Sequence, residues 1–178
     1  YTLRCCVPVS GELVSNPAGL RRASRAQPNV TLFEGKHPSN KDAAARPLIR
    51  GFGELRVGVL SMAEREFLLG DPNTWYVNPL DILACARSVP VLRREGQYVV
   101  VLLHGGVEHY PYPTPNMRDL ARFLVDQGAD LVVFQHSHCA GCWETYGGGR
   151  IVYGQGNLLF QVPQAPQSWN EGLLLDVR

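Results

Sequence analysis

The chain has 178 residues, of which 45% are hydrophobic and 19% charged, with a formal net charge of +1. This composition is typical of one globular domain and gives no electrostatic basis for binding nucleic acid. Because no apolar run approaches the roughly 20 residues of a membrane-spanning helix, the sequence predicts no transmembrane segment. With no signal peptide and five unevenly spaced cysteines, a cytoplasmic location is expected. The chain begins at Tyr1, so an extracytoplasmic location is the alternative if a leader or anchor has been removed.

Residues 1–45 carry only weak patterns. A short strand is predicted within residues 2–9, where Pro8 confines it to an edge or an end of a sheet. Residues 18–26 are compatible with a basic helix, and residues 29–33 are compatible with a strand. No functional motif stands out in this part of the chain.

From residue 46 onward the patterns become clearer. Two apolar runs flank a glycine-containing turn at residues 51–53, which predicts a β-hairpin over residues 46–62. Residues 81–94 predict a helix. Pro90 should kink or split that helix, because proline lacks the N–H that an interior helical position donates.

The centre of the chain alternates strand, helix and strand. Residues 97–103 and 130–134 are apolar runs typical of buried strands, and residues 116–127 between them have the spacing of an amphipathic helix. The first strand stops at His104, and the second stops at the polar loop 135–138. Two strands joined by a helix run in the same direction, so both loops should leave the carboxyl edge of one sheet.

Three histidines in these two loops are a candidate metal site. His136 and His138 are two positions apart, so an extended loop directs both side chains to the same side. His104 should lie beside them on the same edge of the sheet. Imidazoles are ligands of Mn, Fe and Zn, so these residues predict a divalent transition-metal site with one metal ion or two adjacent ions.

Other polar residues near this edge are candidates for acid–base chemistry. Glu108 closely follows His104, and its carboxylate can act as a general acid or base or accept a proton from a ligating histidine. The alternative is a solvated loop carboxylate. Glu64 and Glu66, at the end of the hairpin, allow the same two interpretations. Asn157 can bring an amide to the site or can be a turn residue.

Cys139 and Cys142 form a CxxC motif directly after the histidines. Such a pair binds zinc or cycles between thiol and disulfide states, and His136 or His138 can complete a zinc site. The alternative is two partly buried thiols that pack the turn.

Further strands are predicted in the C-terminal part of the chain. A glycine turn at residues 147–149 leads into a strand at residues 151–153. Residues 158–160 and 173–175 are also predicted strands, separated by a proline-bearing loop over residues 161–170.

Four blocks of the chain carry a family resemblance. In chain order they are His104-Gly105-Gly106-Val107-Glu108, Gly128-Ala129-Asp130, Gln135-His136-Ser137-His138 and Val152-Tyr153-Gly154-Gln155-Gly156-Asn157. Their order and spacing resemble those of the bacterial CapA (PgsA-like) capsule-biosynthesis proteins, within the calcineurin-like metallophosphoesterase superfamily. We expect a single domain over residues 1–178, in which residues 46–178 match the family's C-terminal part.

The resemblance implies an α/β fold, namely a four-layer α/β/β/α metallophosphoesterase-like sandwich with a metal centre at the carboxyl edge of its strands. His104 matches the family's isolated ligand histidine, and His136 and His138 match its terminal H-x-H ligands. Glu108 and Asn157 match recurring family positions and are the candidate catalytic residues.

The sequence also departs from the family pattern. Gly105 stands where CapA proteins usually have tryptophan, and Gln135 stands where many members have histidine. The superfamily's first metal ligands, in a strand ending in Gly-Asp and in Asn-Leu-Glu and Asn-His blocks, are not legible in this sequence. We therefore expect a sandwich that is incomplete at its N-terminus or a metal site that is impaired.

The resemblance implies a metal-dependent phosphoesterase-like hydrolase linked to capsule or poly-γ-glutamate biosynthesis, with a capsule polymer or a phosphoester as substrate. Two metal ions would bind the phosphoryl oxygens and activate a water for in-line attack. The alternative is a non-catalytic accessory protein of polymer assembly that keeps the fold with an impaired metal site. A zinc or redox site on Cys139 and Cys142 is a third hypothesis.

Overall fold

The structure, a computed structural model, describes residues 3–6, 44–67, 78–157, 169 and 171–177. The strands in these parts are β1 (Leu3–Cys6), β2 (Leu48–Phe52), β3 (Leu55–Ala63), β4 (Tyr98–His104), β5 (Leu131–Gln135), β6 (Trp143–Tyr146), β7 (Gly149–Val152) and β8 (Leu174–Val177). The helices are α1 (Ile82–Glu95), α2 (Pro115–Asp126) and a short 3₁₀ helix, Arg65–Phe67. The helix predicted over residues 18–26 and the strands predicted over 29–33 and 158–160 lie outside the described residues.

Six strands form one mixed sheet in the order β2-β3-β4-β5-β7-β6. The four central strands are parallel, and β2 and β6 pair antiparallel at the two edges. Helix α1 connects β3 to β4, and helix α2 connects β4 to β5, as parallel pairing requires. The predicted α/β class and the central strand–helix–strand unit are confirmed.

The predicted hairpin is confirmed as β2 and β3, but its turn lies further along the chain than predicted. Strand β2 continues to Phe52, which pairs with Leu55, so the turn consists of Gly53 and Glu54 rather than residues 51–53. Gly53 has a φ of 61°, a conformation that glycine adopts without the steric cost of a side chain. The sequence therefore predicted the hairpin correctly, but it did not show that Gly53, and not Gly51, lies in the turn.

Helix α1 continues through Pro90, so the prediction that the proline would split it is wrong. Asp81 caps the start of the helix, because its Oδ1 accepts a hydrogen bond from Ala84 N at 3.0 Å. Val89 and Leu92, on either side of the proline, are buried in the core. Packing against the sheet therefore holds both parts of the helix and outweighs the local cost of the proline.

Helix α2 confirms the helix predicted over residues 116–127. Thr114 caps its start, because its Oγ1 accepts a hydrogen bond from Met117 N at 3.2 Å. Pro115 occupies the first turn, where a missing N–H leaves no intrahelical hydrogen bond unmade. Gly128 follows the helix with a φ of 114° and reverses the chain toward β5.

Both helices cover one face of the six-stranded sheet. Alternating residues of β3, β4 and β5 point to this face and meet the buried stripes of the helices, as the two periodicities predict. The core between them contains Leu60, Met62, Cys85, Val89, Leu92, Val99, Val101, Leu103, Met117, Ala121, Leu124, Val125, Ala129, Val132, Phe134, Ile151 and Tyr153.

The opposite face of the sheet packs against a second, two-stranded sheet of β1 and β8. Leu173 and Leu175 lie against a second apolar cluster, composed of Tyr98, Leu131, Val133 and Val152. The described residues therefore form three layers, α/β/β, of the expected α/β/β/α sandwich. The strands predicted within residues 2–9 and at 173–175 are confirmed as β1 and β8.

Strand β6 was not predicted from the sequence. It pairs with β7 across the turn formed by Gly147 and Gly148, whose φ values are 54° and 89°. Its sequence, Trp143-Glu144-Thr145-Tyr146, is aromatic and β-branched and is followed by glycines, which is a hairpin signal. None of the helices in the described residues has the length and apolarity needed to cross a membrane.

Candidate metal centre at the carboxyl edge of the sheet

The strands of the parallel sheet end together at one edge. Ala63, His104 and Gln135 are in register at the ends of β3, β4 and β5. Beyond them the backbone continues to pair, because Glu64 N donates to His104 O at 2.9 Å and Gly105 N donates to Gln135 O at 2.8 Å. The prediction that both histidine loops leave the same carboxyl edge is confirmed.

The three predicted ligand histidines lie next to one another at this edge. The ring centroids of His104 and His136 are 5.1 Å apart, and those of His136 and His138 are 5.7 Å apart. Although much of His104 is exposed, desolvation of its ring and the neighbouring His136 and His138 lower its pKa. The neutral imidazole, which is the form that binds metal ions, is thereby favoured.

The backbone at this edge adopts unusual conformations. Among the described residues, the only non-glycine residues with positive φ are His109 at 58°, His136 at 115° and His138 at 53°. Side chains disfavour such conformations, and the value at His136 lies outside even the left-handed helical region. Strain of this kind is concentrated at functional sites, where the surrounding structure imposes it.

His138 is held by partners on several sides. Asn157 Oδ1 lies 2.8 Å from His138 Nδ1, and Asn157 Nδ2 donates a hydrogen bond to Trp169 O, also at 2.8 Å. The ring of Trp169 stacks on the imidazole, with centroids 4.3 Å apart and planes inclined by 20°. Glu108 Oε1 lies 3.7 Å from His138 Nε2. The predicted site residues Glu108 and Asn157 therefore both contact a predicted ligand.

Two residues of this site were not singled out by the sequence. Trp169 lies far along the chain from the histidines, in a stretch of sequence without a recognisable pattern, so no local signal indicated it. His109 links the two histidine loops, because its N–H donates to Ser137 O at 2.8 Å. Its ring lies 5.1 Å from that of Trp169 and 6.3 Å from that of His138.

Glu64 supports the loop that follows His104. Its Oε2 accepts a hydrogen bond from Gly106 N at 3.1 Å. A Cβ at Gly105 would lie 2.5 Å from Glu64 Cδ, so any larger residue at this position would have to displace the carboxylate. The glycine that stands in place of the family's tryptophan is therefore matched to the position of Glu64.

A cavity of about 660 Å³ opens beside this loop. Its lining includes the acidic residues Glu64, Glu66 and Asp119 and the apolar residues Met117 and Phe123. Because three acidic residues line it, the cavity does not suit the anionic part of a phosphoester. Glu66 faces this cavity, and no contact of its carboxylate with the three histidines is seen in the described part of the chain.

The CxxC motif packs the turn after the histidines. Cys139 is buried and Cys142 is half-buried against the main core, and both thiols are free. Burial raises the pKa of the Cys142 thiol, which disfavours the thiolate that zinc binding and disulfide exchange require. The geometry favours the packing interpretation of the motif over the zinc and redox interpretations.

The donor chemistry of the edge suits a divalent transition-metal ion, because three imidazoles and a carboxylate gather there. Their present arrangement is more open than a closed site. Within residues 44–67, 78–157 and the other described parts, no three His, Cys, Asp or Glu side chains lie close enough together to hold an ion.

Comparisons with known proteins agree with the family resemblance. A profile of the family described as bacterial capsule synthesis protein PGA_cap matches residues 34–162. The capsule biosynthesis protein CapA of Bacillus anthracis is 40% identical over 91 residues, which are 50% of this chain and 22% of that protein. The PGA biosynthesis protein CapA of Bacillus subtilis (strain 168) is 35% identical over 88 residues, which are 49% and 23% of the two proteins. The chain thus matches less than a quarter of the length of either curated relative.

A solved structure is also similar. The sulfate thiohydrolase SoxB of Thermus thermophilus superimposes with a TM-score of 0.47 and 20% sequence identity, over 86% of this chain and 29% of that chain.

Proposed function

The chain belongs to the bacterial capsule synthesis protein PGA_cap family, and from this premise we propose that it acts in capsule biosynthesis as a metal-dependent, phosphoesterase-like hydrolase. The observation that carries the proposal is the convergence of His104, His136 and His138 from two parallel strand ends. The carboxyl edge of an α/β sheet is where such folds bind their ligands, and histidines that converge there can hold a metal ion that assists hydrolysis.

His104, His136 and His138 would have to draw closer together than they now lie to hold one or two ions of Mn, Fe or Zn. Glu108, whose Oε1 lies 3.7 Å from His138 Nε2, could join them. A bound ion would polarise a phosphoryl oxygen and lower the pKa of a coordinated water. The side chain of Glu108 is 53% exposed, so it can exchange protons with solvent and with a leaving group. His104 contributes a neutral ring, since its lowered pKa disfavours the imidazolium.

The proposed substrate is a phosphoester or a capsule polymer, and poly-γ-glutamate is the polymer indicated by the CapA resemblance. The relatives named for capsule and PGA biosynthesis support the link to these pathways, whereas the substrate itself is part of the proposal. We place the phosphoryl group at the histidine edge, because the lining of the adjacent cavity includes Glu64, Glu66 and Asp119, whose carboxylates would repel it.

Metal content and hydrolysis together test the proposal. The protein, purified without chelators, should retain Mn, Fe or Zn and hydrolyse a generic phosphodiester such as bis-p-nitrophenyl phosphate. His136→Ala should lose both properties, while His109→Ala, which removes an imidazole from the same edge but no proposed ligand, should keep the metal. If the wild-type protein purified without chelators contained no Mn, Fe or Zn, the hydrolase assignment would fail.

The open arrangement of the donors favours a second candidate function. Since no three such side chains in the described residues enclose an ion, the chain can instead be a non-catalytic accessory that binds capsule polymer or an assembly partner. Polymer binding would then be unaffected by His136→Ala, and no phosphoester turnover would be detected. Turnover that disappears with His136→Ala would exclude this alternative.

A further inference from the structure

The amide of Asn157 has an orientation that the structure fixes. A backbone carbonyl only accepts hydrogen bonds, so the Asn157 atom 2.8 Å from Trp169 O must be the NH₂ group. The opposite end of the same amide, Oδ1, therefore faces His138 Nδ1 at 2.8 Å. The usual ambiguity between the oxygen and nitrogen of an asparagine side chain is removed by this partner.

The orientation of the amide determines the tautomer of His138. Asn157 Oδ1 only accepts hydrogen bonds, so the 2.8 Å contact requires a proton on His138 Nδ1. In a neutral imidazole with Nδ1 protonated, the lone pair is on Nε2. The tryptophan ring stacked at 4.3 Å restrains the imidazole plane, so the direction of that lone pair is also restrained.

The neighbour of His138 Nε2 is consistent with a cation at this position. Glu108 Oε1 lies 3.7 Å from Nε2, so a lone pair and a carboxylate oxygen lie side by side. Two acceptors in this relation repel each other unless a positive charge lies near both, either a second proton on the imidazole ring or a bound cation. A metal ion bound by Nε2 would supply that charge.

We propose that Asn157 is a positioning residue that fixes the Nδ1–H tautomer of His138 and thereby presents Nε2 to a metal ion, with the Trp169 carbonyl as the group that orients the amide. The metal half of this inference rests on the proposed function, whereas the tautomer half does not. Asn157 then acts through His138, a role different from the catalytic one that the family resemblance suggested.

The tautomer can be measured on the metal-free protein. Long-range ¹H–¹⁵N correlation spectra of ¹⁵N-histidine-labelled protein, recorded above the imidazole titration, distinguish protonated from unprotonated ring nitrogens. We expect His138 to carry its proton on Nδ1 in the wild type and in Asn157→Asp, which keeps an oxygen acceptor. In Asn157→Ala the proton should move to Nε2, as in an unrestrained histidine. A wild-type His138 protonated at Nε2, or an Asn157→Ala variant that keeps the Nδ1 proton, would overturn the inference.

Two further variants separate positioning from general structural damage. Trp169→Phe keeps the backbone carbonyl and an aromatic ring, so it should leave the Nδ1 proton in place. Asn116→Ala removes an exposed asparagine on α2 and should change nothing at His138. A shift of the proton in Asn116→Ala would attribute the effect to loss of fold and contradict the assignment to Asn157.

Titration with Zn²⁺ or Co²⁺ tests the metal half. Removing a second-layer partner of a ligating histidine weakens metal affinity by roughly 10- to 100-fold, so Asn157→Ala should bind the ion that much less tightly than the wild type. Equal affinity of the two proteins would overturn the positioning role. If the wild type bound no ion while the Nδ1 proton was present, the proposed hydrolase function would fail and the tautomer assignment would stand.

Discussion

The interior of the sheet and its carboxyl edge follow opposite rules. In the interior, apolar side chains such as Val99, Leu103 and Phe134 are at most 1% exposed and lie on regular strands. At the edge, His136 and His138 are polar and partly exposed, and their backbone has positive φ. The interior residues are closely packed and have unstrained backbone conformations. The edge residues retain polar, potentially functional side chains at positions where the backbone is strained.

The two regions also differ in how they satisfy polar groups. Away from the edge, Glu144 accepts from Arg122 Nε at 3.1 Å, from Arg122 Nη2 at 3.0 Å and from the Tyr153 hydroxyl at 2.8 Å. This network joins α2 to the β6–β7 hairpin and pairs every charge within it. At the edge, one ring nitrogen of His138 contacts Asn157 Oδ1, and the other, Nε2, lies 3.7 Å from the Glu108 carboxylate. This arrangement is suited to binding a ligand.

The largest effect is expected in the interior. Phe134→Ala should lower the free energy of unfolding by about 3–5 kcal/mol, because it removes a buried ring that stacks on Tyr153 and leaves a cavity. Urea denaturation measures this difference. Val107→Ala, at a 47% exposed position on the edge loop, is the control and should change stability by less than about 0.5 kcal/mol. Equal losses in the two variants would contradict the division between packed interior and edge.

A smaller effect is expected at the Glu144 network. Tyr153→Phe keeps the buried ring and removes its hydroxyl, so it should cost about 1.5–3 kcal/mol, the range for a hydrogen bond to a charged group. The hydroxyl should titrate only at strongly alkaline pH, because burial and the Glu144 carboxylate raise the pKa of Tyr153 well above its usual value. Ultraviolet titration checks the second point, and titration near the ordinary tyrosine pKa would contradict the buried hydrogen bond.

Backbone strain at the edge can be measured by comparing two substitutions at one position. His136→Gly should be more stable than His136→Ala by about 1 kcal/mol, because only glycine accepts a φ of 115° without strain. At Glu108, which has no positive φ, the order should be reversed and alanine should be the more stable. Thermal unfolding of the four variants tests this, and a His136→Ala variant at least as stable as His136→Gly would show that His136 is unstrained.

The smallest effect should appear only in acid. The hydrogen bond from Arg122 lowers the pKa of Glu144 below its ordinary value of 4.5. A carboxyl with a lowered pKa stabilises the fold above its unfolded-state pKa, and that contribution is lost as the pH falls through the folded-state pKa. Glu144→Gln should therefore flatten the pH dependence of stability below about pH 4.5. An unchanged acid profile would assign the acid sensitivity to other carboxyls.

The sequence predicted the interior well because the interior obeys local rules. The apolar runs at residues 97–103 and 130–134 located β4 and β5, and the helical spacing of residues 116–127 located α2 within one residue at each end. A strand–helix–strand order then placed His104 beside the loop 135–138. The prediction that Pro90 would split α1 failed because burial of the flanking residues, which no local pattern reports, outweighed the local preference.

The support around the histidines was much less predictable. Trp169 and Asn157 come to His138 from positions distant in the chain, and the contact depends on loop geometry rather than on periodicity. The hydrogen bond from Gly106 to Glu64 likewise joins two loops of different strands. Motif spacing indicated which residues are candidates for chemistry, and the folded structure was required to show which residues hold them in place.

The measurement that tests the account most directly is X-ray absorption spectroscopy of the protein loaded with Zn or Mn. If the histidine edge is a metal centre, the spectrum should contain imidazole scattering with metal–nitrogen distances of about 2.0–2.1 Å. That scattering should decrease stepwise in His104→Ala, His136→Ala and His138→Ala. A spectrum with only oxygen or sulfur neighbours, or one that the three substitutions leave unchanged, would contradict the assignment of the edge as the site of chemistry.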